Sequence, residues 1–304
     1  MSNITISNLR KIYGPVAAVN DFSVEIPSAS VFGLLGPNGA GKTTTFKCML
    51  GLARPTSGAI LYDGKPLVPE TLQRIAYVPE RSVLYDWMTV EEHVEMNRRA
   101  YTAFSRERAF ELLNTFDIGR RRRVRVLSKG MKTAVMVALA FAQNAEILVL
   151  DEPTGGLDPI NQRHVLSLMI NEAAKGNSVV FSSHQIGQVE RAAEQIAVMD
   201  HGRLVLQGLV DDLKGDRKIV EGIFADVHFV LDGIAGDPRV ARVDRSERIV
   251  RLLVTGGADD IASRLAAAGA TGVRVVDLNL EDIFLYAVSP ATATADVVVK
   301  ENPS

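Results

Sequence analysis

Apolar and polar positions in the first half of the chain fall into alternating strand-like and helix-like stretches. "VNDFSVEI" (19–26) alternates with a period of two, which places one face of a strand on a core. "VFGLLG" (31–36), "ILVLDE" (147–152) and "SVVFSSH" (178–184) are unbroken apolar runs closed by small or polar residues, the pattern of strands buried on both faces. A helix-like stretch, "KTTTFKCMLGL" (42–52), follows the first of these runs, and another from about 160 to 175 separates the other two. Strands and helices in this order predict an α/β fold with a mostly parallel sheet.

The texture changes twice. Residues from about 82 to 142 are rich in helix-like pattern ("TVEEHVEMNRRAYTAF", "RERAFELLNTF") and predict a helical insert between strands of the sheet. After "GRLVLQG" (202–208), the segments "VHFVLDG", "RVARVD", "RIVRLLVTG", the helical "DDIASRLAAAG", "GVRVVDLN" and "EDIFLYAV" predict a small α+β accessory domain. The expected division is a main domain over 1–212, the accessory domain over 213–288, and a tail over 289–304 ("SPATATADVVVKENPS") with too little to bury for a fixed fold.

Composition narrows the function classes. At 47% hydrophobic and 23% charged, the 304 residues can build ample core. A net charge of −2 supplies no global field toward nucleic acid or anionic lipid. One cysteine, Cys48, can form neither an intramolecular disulfide nor a thiolate metal cluster, as expected in a reducing compartment. The N-terminus lacks the pattern of a signal peptide, and the apolar run around 134–142 is too short to span a bilayer. Any membrane role is therefore expected to come through a partner.

"GPNGAGKT" (36–43) satisfies G-x-x-x-x-G-K-[ST] between a buried strand and a helix. Gly36, Gly39 and Gly41 let the backbone wrap phosphates with its N–H groups, Lys42 is placed to bridge β- and γ-phosphates, and the Thr43 hydroxyl is suited to Mg²⁺. The bland alternative is a glycine-rich turn with a lysine. Pro37, Asn38, Ala40 and Thr44 complete the expected phosphate-binding set. "ILVLDE" adds Asp151 as a Mg²⁺ holder and Glu152 as the group that polarises an attacking water.

The phosphate loop, "LSKGM" (127–131), "ILVLDEPTGGLDP" and "VVFSSH" occur in the order and spacing of the ATP-binding subunits of ABC transporters, which residues 1–220 resemble. The resemblance implies a P-loop NTPase core with a helical insert, ATP and Mg²⁺ as ligands, and a dimer that holds ATP between protomers. LSKGM resembles the family signature, commonly LSGGQ; Ser128, Lys129 and Gly130 are then expected at the γ-phosphate of ATP bound to the opposite protomer. Lys129 and Met131 depart from the commonest form, and "KTAV" (132–135) lacks the glutamine and arginine that often follow it. The resemblance also assigns Tyr13 to stacking on adenine, Glu80 (where glutamine is usual) to the metal, His184 to the γ-phosphate and Asp158 to communication across the dimer. Beside LSKGM, the ending "LEDIFL" resembles a branch of bacterial exporters with separate ATPase and permease chains.

The implied partners are a second copy or related ATPase subunit and an integral-membrane permease, contacted through residues 80–95. The chain would then lie at the cytoplasmic face of the membrane. Rival readings are a soluble ABC-type ATPase without a transport role and a low-turnover ATP sensor. The run "RRRRVR" (120–125) reads first as a solvated end of the insert; lipid headgroups beside the permease are another reading, and no nucleic acid is expected.

Overall fold

The computed structural model describes residues 3–231 and 233–288. Backbone contacts divide the chain into two compact units, one up to Leu209 and one from Val210.

The first unit begins with strands β1 (Ile4–Tyr13), β2 (Val16–Ile26) and β3 (Val31–Leu35), then helix α1 (Lys42–Met49). Next come β4 (Ser57–Tyr62), β5 (Lys65–Pro66), the short α2 (Pro69–Leu72) and β6 (Ile75–Val78). The stretch predicted as a helical insert holds α3 (Val90–Ala100), α4 (Arg106–Thr115) and α5 (Lys129–Phe141), with a single 3₁₀ turn at Val124–Val126. The unit closes with β7 (Ile147–Asp151), α6 (Pro159–Ala174), β8 (Ser178–Ser183), α7 (Ile186–Ala192), β9 (Gln195–Asp200) and β10 (Arg203–Leu209).

Two sheets share one core. An antiparallel sheet runs β2-β1-β4-β5, and a six-stranded sheet runs β10-β9-β3-β8-β7-β6. In the second, β9, β3, β8, β7 and β6 are parallel and only β10 is antiparallel. All five residues of β3, all five of β7 and all six of β8 are buried, as expected of strands covered on both faces. Phe46, Cys48 and Met49 of α1 join Ile4, Leu9 and Phe22 from one sheet and Phe32, Val149 and Val180 from the other in a single apolar cluster. Register aligns Leu35 with Ser183, and Asp151 with Ser182, so the carboxyl ends of three central strands open at one edge. Ligands of parallel sheets bind at such edges.

Each helix of the insert begins where a capping side chain dictates. Thr89 and Glu92 form a reciprocal capping box on α3, Ser105 caps α4 and Ser128 caps α5. Glu172 of α6 is almost fully buried and bonds Arg108 of α4, together with Lys175 and Asn177. Burial alone would raise its pKa, but these partners hold it below the ordinary carboxylate value.

The second unit contains α8 (Val210–Asp216), β11 (Arg217–Ile223), β12 (Val240–Ser246), β13 (Ile249–Thr255), α9 (Ala258–Ala267), β14 (Thr271–Asp277) and α10 (Leu280–Val288). Its antiparallel sheet runs β12-β13-β11-β14, and Ile261 and Leu265 of α9 cover Val220, Val250, Leu252 and Val254. The division falls before α8 because α8 packs on α10 and β11. "VHFVLDG" forms no strand among its described residues. Phe229 stacks on Phe224 with ring centroids 4.1 Å apart, and Leu231 and Ile234 turn into the core. The two inner strands are β13 and the less apolar Arg217–Ile223, each paired on both sides. The expected tail, 289–304, lies outside the described residues.

Candidate functional site

The strand β3 ends at Leu35, and the chain turns through Gly36–Gly41 into α1 without a side-chain cap. Gly41 sits at φ +111°, and a Cβ there would lie 2.3 Å from the Ala18 carbonyl oxygen, so only glycine lets the loop close at this point. Lys42 folds back over the loop and donates to the carbonyl oxygens of Gly36 (2.7 Å) and Pro37 (3.2 Å). Lys42 is 7% exposed; burial lowers its pKa, against the opposing pull of Glu152, Asp151 and Glu80. The loop is thus a positive group held beside three carboxylates.

The adjoining strands bring the acids. Thr43 Oγ1 donates to Asp151 Oδ2 at 2.7 Å, and Ser182 Oγ donates to Asp151 Oδ1 at 2.6 Å. The same Ser182 oxygen accepts the backbone N–H of Glu152 at 3.0 Å. Glu152 takes a left-handed φ of +52°, a conformation costing a non-glycine residue about 1–2 kcal/mol. The Ser182 bond holds that turn, and His184 Nδ1 lies 2.8 Å from Glu152 Oε2. One carboxylate therefore faces the threonine at the start of α1, and the next faces the histidine beyond β8.

Lys42, Thr43, Asp151, Glu152 and His184 line a cleft of about 280 Å³ with Ala18, Asn38, Gly39, Ala40, Gly41, Thr44, Glu80, Lys129 and Gly155. Of the sequence-predicted set, Gly36 and Pro37 touch it through Lys42 alone. Tyr13 stands apart from the cleft wall, about half exposed, with Lys11 Nζ 4.7 Å from its ring centroid. Asp158 caps α6, accepting the N–H groups of Ile160 and Asn161 at 3.0 Å each, which lowers its pKa.

The three LSKGM residues separate. Ser128 Oγ accepts Met131 N–H at 3.2 Å as an ordinary helix cap. Gly130 is buried, and a Cβ there would lie 2.1 Å from the Gly156 carbonyl oxygen. Lys129 lines the cleft of its own chain, next to Gly155. Thr133 adds a bond from α5 to the Gly155 carbonyl oxygen at 3.0 Å.

Sequence reasoning missed Ser182, Gly155 and Thr133. Ser182 had a signal: a polar residue within the buried run "SVVFSSH", two positions before a candidate histidine. Gly155 and Thr133 had none, since their link joins loop and helix 22 residues apart.

Thr43 and Asp151 offer the hard oxygen donors that suit Mg²⁺. Among the described residues no group of three or more His, Cys, Asp or Glu could hold a metal alone. No helix is long and apolar enough to cross a membrane among the described residues.

Comparison with known proteins agrees with this arrangement. Residues 19–155 match the family described as ABC transporter. The uncharacterized ABC transporter ATP-binding protein YhaQ of Bacillus subtilis (strain 168) is 36% identical over 69% of this chain and 72% of its own length. The Nod factor export ATP-binding protein I of Cupriavidus pinatubonensis is 32% identical over 93% of this chain and 89% of its own. Among solved structures, a dimeric bacterial ABC transporter cassette is similar with a TM-score of 0.62 and 26% identity, over 68% of this chain and 98% of that one. A phosphate loop facing paired acids at the edge of this sheet, in a chain so related, belongs to the ABC transporter family as one of its ATP-binding, ATP-hydrolysing subunits.

Proposed function

We propose that two such subunits close around two ATP molecules, each lying between the phosphate loop of one and the start of α5 of the other, and that hydrolysis powers export through a separate membrane permease. The observation that carries this reading is the line of contacts Thr43–Asp151–Ser182–Glu152–His184 at the mouth of the phosphate loop.

Lys42 exchanges its two loop carbonyls for the β- and γ-phosphates, which are charged and stronger acceptors. Thr43 and Asp151, with Glu80 at the rim, would hold Mg²⁺, which when bound neutralises charge on the phosphate oxygens. Glu152 accepts a proton from the water that attacks the γ-phosphorus as the bond to ADP breaks. His184 steadies Glu152 through Nδ1 and turns Nε2 toward the γ-phosphate. Tyr13 stacks on the adenine. Across the dimer, the Ser128 hydroxyl, the Gly130 N–H and Lys129 meet the partner's triphosphate at a helix start suited to anions, and Asp158 stands at the interface. Both halves of the site reside in this one chain, which supports pairing with itself or with a related subunit.

A groove of about 370 Å³ on α3, lined by Met88, Glu91, Glu92, Glu95, Met96 and Arg99, supports the permease contact within residues 80–95. Beside it Val83, Tyr85 and Trp87 are exposed at 69%, 51% and 69%. Methionine and aromatic surfaces of this kind adapt to a partner helix. The protein is then peripheral on the cytoplasmic face through that permease.

Two measurements test this. Phosphate release by the Glu152→Gln variant should fall at least about 100-fold with ATP binding kept; an unchanged rate would remove Glu152 from its role. Affinity purification from solubilised native membranes should recover a multi-helix membrane protein. Recovery of none, with the protein only in the soluble fraction, would favour a non-transport ATPase.

A further inference from the structure

The arginines of "RRRRVR" are not used by the ATPase machinery. Arg120, Arg121, Arg122, Arg123 and Arg125 are all exposed, while Val124 between them is fully buried. The run is fixed rather than loose. The Arg120 and Arg122 carbonyls accept the N–H groups of Glu91 and Val90, and the N–H groups of Val124 and Arg125 donate to Met88 and Asp86. Thr89 and Arg123 pair as an antiparallel bridge. Five exposed arginines therefore sit on one segment whose backbone is fixed, beside the 83–88 segment that carries Val83, Tyr85 and Trp87.

The neighbouring acids are already engaged. Asp86 pairs with Lys132, Glu91 and Glu95 with Arg106, and Glu92 with the Thr89 cap. Arg120 rests on the Phe110 ring at 4.1 Å. Among the described residues, Arg121, Arg122, Arg123 and Arg125 form no ion pair within 4.0 Å. In a chain of net charge −2, such a strip is a concentrated local positive field, offset by Glu92, whose carboxylate feels Arg123.

We propose that the Arg120–Arg125 edge binds the phosphate headgroups of anionic phospholipids bordering the permease. This rests on the transporter reading for its location, because the adjacent Tyr85–Trp87 segment is the surface proposed to meet the permease. The match is chemical: planar guanidinium groups suit phosphate bidentately, and several exposed arginines on one short fixed segment can meet more than one headgroup at once. The exposed Val83, Tyr85 and Trp87 beside the strip take protein, and the basic strip takes the lipid around it.

The experiment uses the purified full chain with vesicles of phosphatidylcholine alone or mixed with phosphatidylglycerol, and no permease. Co-sedimentation should appear only with phosphatidylglycerol and weaken as salt rises. Each arginine near an anionic surface is worth about fivefold in partitioning. Replacing Arg121, Arg122, Arg123 and Arg125 by Gln should therefore lower binding more than tenfold and leave basal ATP hydrolysis unchanged. A second variant, Tyr85→Ser with Trp87→Ser, should keep vesicle binding and lose permease recovery, which separates this proposal from the transporter reading. No binding to anionic vesicles at low salt, or undiminished binding by the arginine variant, overturns the proposal. So does loss of permease recovery by the arginine variant with vesicle binding intact, which would make the strip a protein contact.

Discussion

Helices α1 and α5 both start beside the same cleft, and they start differently. The first begins at Gly41 with no side-chain cap, leaving its positive end and the loop before it to a ligand. The second begins at Ser128, whose hydroxyl oxygen already accepts the Met131 N–H. An uncapped start, backed by Lys42 and facing Asp151 through Thr43, is complete within one chain. A capped start with its glycine pressed on a neighbouring loop is stable alone and keeps its hydroxyl proton to donate elsewhere. On the proposed dimer, the difference would mean that the chain holds one nucleotide half firmly and offers the other to its partner.

The strongest way to break the comparison is Ser128→Arg, which fills the outward face of α5 and leaves α1 untouched. ATP-dependent dimerisation should be abolished, with nucleotide binding to the single chain retained; light scattering with and without ATP reads this, and unchanged dimerisation would sink the assignment of α5. Next in size is Glu172→Ala, which strands Arg108 and unties α4 from α6. A loss of about 3 kcal/mol in denaturant unfolding is expected. Because the folded-state pKa of Glu172 is depressed, its contribution is fully present above the unfolded value of about 4.3 and fades as pH falls below it. The wild type should thus lose stability on acidification more steeply than the variant.

Smaller changes sharpen the contrast. Gly130→Ala places a methyl group against the Gly156 carbonyl, so the loop carrying Glu152 must shift. A cost of about 1–3 kcal/mol in thermal unfolding, together with slower hydrolysis, is expected. Ser128→Ala removes only the cap of α5 and should cost about 1 kcal/mol, with dimer affinity falling beyond what that stability loss explains if its hydroxyl meets phosphate.

The phosphate loop was legible in the sequence because its chemistry is contiguous: glycines, lysine and threonine act within eight residues between a buried strand and a helix. The central strands were legible for a similar reason, since burial on both faces leaves no polar position to confuse the pattern. What stayed hidden depends on register between strands or on packing between distant segments. Ser182 meets Asp151 only because β7 and β8 align those positions. Lys129, read as facing a second chain, also lines the cleft of its own, because loop and helix are pressed together at Gly130 and Gly156. In the second unit, "VHFVLDG" had the composition of a strand, but its Phe229 stacks on Phe224 without strand pairing, and the charged segment Arg217–Ile223 takes one of the two inner places beside β13.

The contact between Gly130 and the Gly156 carbonyl also sets what substitution can do to this molecule. Within the five letters LSKGM, position 130 has no room for any side chain, whereas the exposed side chain at 129 has room to change. Position 129 can therefore change beside a position that cannot. A lysine there can retune the charge of the cleft while the hinge between helix and loop keeps its fit.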